Sequence, residues 1–407
     1  MSLISAATEE TAYPALYLKR GEDTRLRAGH LWVFSNEVDV KRSPLTSFEA
    51  GGPCVIVDAS DKPLGIGYVN PNSLICARLV NRGIAHAFDR SLIVHKLNIA
   101  LALRERLYAE PYYRLVFGES DGLPGLTVDR FGDVLAAQVT TAGMERMKDD
   151  IGAALVKVIK PRAIVWKNDS GIRTLEQLPS YADIGYGELT APVIVREGGL
   201  EFEVDIIGGQ KTGWFYDQRA NRDLFAPLVP DTRVLDMFSY LGGWGLRAAS
   251  AGAQEVVCVD ASAAAVEAIA RNAQRNRLAE RVAAVRADAF DYLKAQREAR
   301  ERYDVVILDP PAFIKRKKDF AEGRLAYRRI NEMAMQILAK DGILVTCSCS
   351  YHMPRAALLE AVQQGARHLD RHVQVLAQLQ QAPDHPVHPA IPETDYLKGF
   401  ICRVTTA

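Results

Sequence analysis

"VLDMFSYLGGWGLRAA" (residues 234–249) is a short apolar run closed by an aspartate, then a turn carrying paired glycines, then a helical stretch. Gly242 and Gly243 let the backbone turn tightly and approach a ligand, and the following helix presents its N-terminus at the same place. The pattern repeats downstream. Apolar strands "EVVCVD" (255–260), "RVAAVRAD" (281–288), "YDVVILD" (303–309) and "GILVTCS" (342–348) alternate with helical stretches. Such alternation predicts an α/β doubly wound, Rossmann-like sheet that takes its ligands outside the carboxyl ends of its strands.

At 407 residues the chain exceeds one ordinary core, so two or three domains are expected. Residues 13–90 carry short apolar runs split by turns, as in "LWVFSNEV" (31–38), "GGPCVIVDASDKPLGIGYVN" (51–70) and "SLICARLV" (73–80), the texture of a small β-barrel. Residues 91–190 read as a small α+β domain. A helix over 89–109 precedes a hairpin turning at Gly132-Asp133, an amphipathic helix over 144–159 and a strand over 163–169. The third domain, 191–407, begins with a hairpin over 191–215 and holds the doubly wound sheet.

Acidic and basic residues number 50 each and the sequence pI is about 7.1, so an anionic partner must be held by local patches. The opening "MSLISAATEETAYPALYLKR" lacks a basic stretch leading into a long apolar one, and no run of about 18 apolar residues occurs anywhere. A cytoplasmic protein with no membrane partner is expected. The six cysteines form no CxxC pair, and His385 and His388 sit among prolines without a carboxylate or cysteine in range, so neither a disulfide framework nor a metal site is expected.

The ends of the strands define a ligand. Asp236 closes the first, Asp260 the second, where a carboxylate can accept from both ribose hydroxyls, and Asp288 the third, where an acidic side chain and the next amide can read an adenine edge. Neither GxGxxG nor GK[ST] is present, so a nucleoside without phosphates fits better than a dinucleotide or triphosphate. In "LDPPAF" (308–313) Asp309 follows the fourth strand, and Pro310-Pro311 fix an extended turn that aims its carboxylate outward.

With these motifs the chain resembles the class I S-adenosylmethionine-dependent methyltransferases. The resemblance implies S-adenosyl-L-methionine as cofactor and S-adenosyl-L-homocysteine as product. The expected contacts are Asp236, Phe238, Ser239, Tyr240, Gly242, Gly243, Asp260, Ala261, Ser262, Asp288, Ala289, Asp309 and Pro310. Methyltransferases that act on planar bases hold the base with such an Asp-Pro-Pro turn, with Phe313 available to stack.

"TCSCS" (346–350) then separates the chemistries. Carbon 5 of cytosine is a poor nucleophile until a thiolate adds at C6. Cys349 lies where pyrimidine-C5 methyltransferases carry the adding cysteine; Ser348 and Ser350 beside it suggest a polar, open position, and Cys347 is expected to pack or to take a secondary role. Another branch of cytosine-C5 RNA methyltransferases has a second cysteine after the two prolines, but here that residue is Ala312.

"GGQKTGWFYDQRANR" (208–222), together with "TCSCS" and the closing "HPVHPAIPETDYLKGFICRV", is similar to the bacterial 23S rRNA cytosine-C5 methyltransferase family over nearly the whole chain. That resemblance makes the N-terminal barrel PUA-like and the partner RNA. By it, Lys211, Thr212, Asp217 and Gln218 would help close the cofactor site, and Arg219 and Arg222 would face cofactor or RNA. Lys19, Arg20, Arg25 and Arg27, close to Trp32 and Phe34, and the basic run Lys315, Arg316, Lys317 and Lys318 suit phosphates. The expectation is 5-methylcytidine formation in 23S rRNA, with Cys349 as nucleophile and Asp309 on the pyrimidine N3 side. A guanine methyltransferase acting on rRNA and a non-catalytic RNA-binding assembly factor remain as alternatives, and homodimerisation stays open.

Overall fold

In the strands Thr11–Tyr17 and Gly52–Val57, residues 15–17 and 54–57 are apolar on both sides, because each side meets a different core. Successive strand residues face opposite ways. Leu16, Cys54 and Ile56 pack with Leu18, Leu26, Val33 and Phe48, while Ala15, Tyr17, Val55 and Val57 pack with Leu97, Leu115, Leu135, Leu155 and Trp166. In the computed structural model, which describes residues 3–6 and 11–406, the chain forms two compact units. The sequence reading of residues 1–20 falls in part outside those described.

The first unit comprises Met1–Val193, Asp205–Trp214 and Pro383–Thr394. It holds a six-stranded sheet built from Leu3–Ala6, Thr11–Tyr17, Gly52–Val57, Pro63–Val69, Ile75–Asn81 and Trp32–Phe34, in that spatial order. A five-stranded sheet runs Tyr181–Gly187, Ala163–Asn168, Val134–Val139, Leu126–Phe131, Tyr112–Phe117, with the helices Arg90–Leu107 and Lys148–Ile159. The hairpin turns at Gly132, whose φ of 65° is the left-handed conformation its turn requires. Because the two sheets share one core, the stretches on either side of residue 90 are topologically distinct yet packed as one body.

The second unit comprises Ile194–Val204, Phe215–Ala382 and Asp395–Ala407. Its seven strands are β1 (Arg233–Met237), β2 (Glu255–Asp260), β3 (Val282–Arg286), β4 (Tyr303–Leu308), β5 (Leu338–Ser348), β6 (Arg371–Gln380) and β7 (Lys398–Thr406). They lie in the order β3-β2-β1-β4-β5-β7-β6. The first five run parallel; β7 is antiparallel to both β5 and β6. The helices are α1 (Gly243–Ser250), α2 (Ala263–Arg275), α3 (Ala289–Glu298), α4 (Phe320–Ile337) and α5 (Arg355–His368). Strand order reverses between β1 and β4, so their carboxyl ends flank the crevice where such sheets take ligands. Buried Val, Ile and Leu on β1 and β4 reflect helices on both faces of a parallel sheet.

Candidate active site

The turn from β1 to α1 is conformationally unusual. Phe238, Tyr240 and Gly242 all have positive φ, at 62°, 51° and 84°. Left-handed backbone at non-glycine residues persists only where the surroundings hold it, and such strain collects at functional sites. Three contacts hold it here. The Ser239 amide donates to the Val259 carbonyl at 3.1 Å, the Tyr240 amide to Asp260 Oδ2 at 2.9 Å, and the Ser262 amide to Asp260 Oδ1 at 2.9 Å. Asp260 thus fastens the loops after β1 and β2 together at the crevice.

Asp236 is fully buried, and its Oδ2 accepts from the Gly245 amide at 2.9 Å. A side chain at Gly245 would meet Cys258 Sγ at 2.2 Å, so only glycine lets α1 come this close. Burial pushes the Asp236 carboxyl up to about 7, against the bond from Gly245. Its Oδ1 is buried and has no hydrogen-bond partner among the described residues. A buried acceptor without a donor is costly and suits a ligand cation. A carboxyl that binds its proton more tightly when folded contributes stability that is fully present below about pH 4 and lost as pH rises through about 7. Asp236→Asn is therefore expected to flatten the fall in melting temperature between pH 5 and pH 8, measured by thermal unfolding of the ligand-free protein.

Asp288 is exposed and caps α3, accepting from the amides of Phe290 and Asp291 at 2.8 and 3.2 Å through Oδ1. The expected cofactor contact and an ordinary helix cap therefore coincide in one residue.

Parallel pairing of β4 with β5 places Leu308 opposite Thr346, so Asp309, the first residue past β4, follows beside Cys347 on β5. The Asp309 carboxylate is gripped from two sides. Gln218 Nε2 donates to both oxygens at 3.0 Å, and Trp244 Nε1 donates to Oδ2 at 3.1 Å. Gln218 is itself aimed by Asn221, whose Nδ2 donates to Gln218 Oε1 at 2.6 Å. Burial pushes the Asp309 carboxyl up to about 6, opposed by the Trp244 and Gln218 bonds and reinforced by nearby Asp217. Asp217 meets the Tyr396 hydroxyl at 2.5 Å.

The two cysteines part company. Cys347 is fully buried on β5, opposite Gly399, and burial followed by Asp309 drives its thiol well above the ordinary value. Cys349, past the strand, is the one cysteine of the six that is not buried, and its Sγ lies 3.9 Å from the Pro310 carbonyl. Ser348 and Ser350 differ from expectation. Both are buried, not open, because Tyr327 on α4 reaches them: Ser348 Oγ donates to its hydroxyl at 2.8 Å, and Ser350 Oγ lies 3.0 Å from it. Ser350 Oγ also accepts from the Ile314 amide at 3.2 Å, tying the Asp-Pro-Pro loop to the cysteine loop. Tyr327→Phe leaves buried hydroxyls short of a partner and is expected to cost about 1–3 kcal/mol, read by denaturant unfolding.

Other expected site residues are held elsewhere. Arg222 is buried against Glu197, at 2.5 and 2.9 Å, and Arg219 reaches the same carboxylate at 3.4 Å, so the Glu197 carboxylate draws both inward. Phe313, half-buried, packs on Tyr327 with ring centroids 4.8 Å apart. Lys315, Arg316, Lys317 and Lys318 are exposed, with Arg316 paired to Asp319 at 2.9 Å.

Within the first unit, Lys211 is exposed, and Thr212 is buried with its hydroxyl on Asp129. Arg25 pairs with Glu37 at 2.5 Å, Arg27 with Asp23 and Asp58 at 2.5 and 2.6 Å, and Lys19 donates to the Asn36 carbonyl at 2.7 Å; Arg20 is exposed. His385 is buried with its Nδ1 2.9 Å from Asp384 Oδ1, so a carboxylate is in range of it after all, contrary to the sequence expectation, because the preceding residue folds back onto the ring. The sequence reading passed over Trp244, Asn221, Tyr327 and Lys398. Only Trp244 carried a signal, by standing between the glycines of the turn.

Residues 180–398 match the family model described as S-adenosylmethionine-dependent methyltransferase. The chain belongs to that family. Residues 16–82 of this methyltransferase match a PUA-like domain model. Along its length it is 37% identical to the ribosomal RNA large subunit methyltransferase I of Aliivibrio fischeri, covering 96% of this chain and 99% of that one. The protein of the same name from Photobacterium profundum is 38% identical, covering 96% and 99%. A crystal structure of a methyltransferase complexed with S-adenosylhomocysteine shares the fold, with a TM-score of 0.82 over 96% of this chain and all of that one, at 21% identity.

The crevice fits S-adenosylmethionine. The partnerless Asp236 Oδ1 suits the ammonium of its amino acid moiety, and the strained turn from Phe238 to Gly243 brings backbone to the ligand. Asp260 and Asp288 stand at the adjoining strand ends. Among the described residues no helix is long and apolar enough to cross a membrane.

Proposed function

We propose that this methyltransferase acts on ribosomal RNA, as its relatives are named for doing, and that its product is 5-methylcytidine in 23S rRNA. The observation that carries the reading is Cys349, the accessible cysteine, beside the Asp-Pro-Pro turn and next to a sheet position whose own cysteine is sealed. A methyltransferase working on a ring nitrogen or exocyclic amine has no need of such a thiol.

When bound, S-adenosylmethionine supplies an electrophilic methyl group on a sulfonium. Cys349 Sγ forms a bond to C6 of the cytosine; the C5–C6 double bond opens, and its electrons run through the ring to N3. Asp309, held near half-protonation at pH 6 and steadied by Gln218 and Trp244, donates a proton there. C5, now electron-rich, takes the methyl group. Loss of the C5 proton to a base in the site re-forms the C5–C6 double bond as the C6–S bond breaks; Cys349 leaves as thiolate, and N3 returns its proton to Asp309. The exposed cations Lys315, Lys317 and Lys318 lie in the loop beyond Phe313 and supply phosphate contacts, while the PUA-like barrel anchors RNA.

The test is the identity of the product. After incubation with S-adenosylmethionine and 23S rRNA transcript, digestion to nucleosides and mass spectrometry should give 5-methylcytidine. Methylguanosine in its place would overturn the assignment.

A further inference from the structure

Lys398 begins β7 directly opposite Ser348. It is 5% exposed, and a buried lysine is costly unless its charge meets compensating groups. Its Nζ donates to the carbonyl of Ser350 at 2.8 Å, the residue that follows Cys349. A buried cation is thus fastened to the backbone that carries the accessible thiol, and the methylation scheme above gives it no task.

We propose that Lys398 is a positioning residue for Cys349, whose ammonium stabilises the thiolate form and fixes the cysteine loop for attack. The inference rests on the reading of Cys349 as nucleophile. Thiolate, not thiol, adds to a pyrimidine, and cysteines beside lysines titrate below their ordinary range.

Groups on every side bear on this charge. Asp395, ahead of β7, and Cys349 itself favour the ammonium; burial, which weighs most, and Arg355 at the start of α5 disfavour it, so Lys398 is pushed down to about 8. Arg355 Nη1 is committed to the carbonyl of Leu379, at 2.8 Å. Tyr327 from α4 and Cys347 from β5 couple to Cys349 itself, and Asp309, just past β4, to Cys347. None of those three brings a positive charge. Above about pH 8 the lysine loses its proton, so its support of the thiolate belongs to neutral pH and is lost as pH rises through 8.

The test needs neither RNA nor cofactor. The other five cysteines are buried, so iodoacetamide applied to the folded full-length protein reports Cys349, followed by mass spectrometry of its peptide from pH 5 to pH 10. Lys398→Gln keeps a donor for the Ser350 carbonyl but removes the charge. It should move the inflection upward and slow alkylation at pH 7 by about tenfold, whereas Lys398→Arg should hold the wild-type inflection. Coincident profiles for Lys398→Gln and wild type would overturn the inference. The wild-type curve is a second reading that depends on no variant: an inflection at or above about 8.5 also overturns it, and one below supports it. A shifted profile in a protein that makes no 5-methylcytidine would defeat the functional reading and leave the role of Lys398 standing. Normal product with an unshifted profile would do the reverse.

Discussion

Cys349→Ala is expected to abolish methyl transfer to rRNA, by more than about a thousandfold in kcat, while Cys347→Ala keeps most of the activity. Removing a covalent nucleophile leaves an enzyme only its binding and its remaining electrostatics, and losses of at least this size are typical. The contrast between the two cysteines is the sharper half of the expectation. Cys347 is sealed inside β5 with its thiol pushed well up by burial, so it serves as a small core residue and its truncation should show in thermal stability. Cys349→Ala should leave the melting temperature and S-adenosylmethionine affinity near wild type, since that side chain is small and partly exposed. Initial rates with 23S rRNA transcript, alongside melting curves, check both halves.

Asp309→Asn is the second large effect, with a loss of about 10²–10³ in kcat/KM. The asparagine keeps the shape of the side chain and can still hydrogen-bond the pyrimidine, but it has no proton to give. Burial holds the wild-type carboxyl up to about 6, so the protonated, active form is lost as pH rises through that value. Wild-type kcat/KM should therefore show a limb that declines above about pH 6, set against the rise from Cys349 ionisation, and the variant should lack that declining limb. Gln218→Leu removes one of the two grips on the carboxylate without touching the acid itself, and so should displace the limb instead of erasing it. A limb unchanged in Asp309→Asn would assign the titration to another group.

The catalytic sheet was legible because its signals are local. Each of the first five apolar runs carries a polar residue within two positions of its strand end, Asp236 one residue inside β1 and Asp260, Asp288, Asp309 and Ser348 at or just past the others, and the glycines after β1 mark the turn without knowledge of anything distant. What escaped the sequence reading depends on partners far along the chain. The ion pair of Arg222 is not legible in the sequence because nothing nearby announces Glu197, 25 residues earlier, as its partner. Ser348 and Ser350 looked solvent-facing because the tyrosine that buries them lies 21 and 23 residues upstream, on a helix. The antiparallel pair β6 and β7 has the same origin, and with it Lys398, whose place opposite Ser348 is set by strand register alone. In the N-terminal unit, the double-sided apolar pattern of Gly52–Val57 is visible in the sequence, but the second core it implies becomes visible only when the five-stranded sheet is in place.

The central claim is that Cys349 forms a bond to cytosine C6, and a mechanism-based trap tests it most directly. In 23S rRNA transcript containing 5-fluorocytidine, C5 carries fluorine where a proton would have to leave, so the methylated adduct cannot resolve. With S-adenosylmethionine present, wild type and Cys347→Ala should give a denaturant-stable protein–RNA complex, and Cys349→Ala should give none. A wild-type protein that methylates unmodified transcript yet forms no such complex would contradict the account.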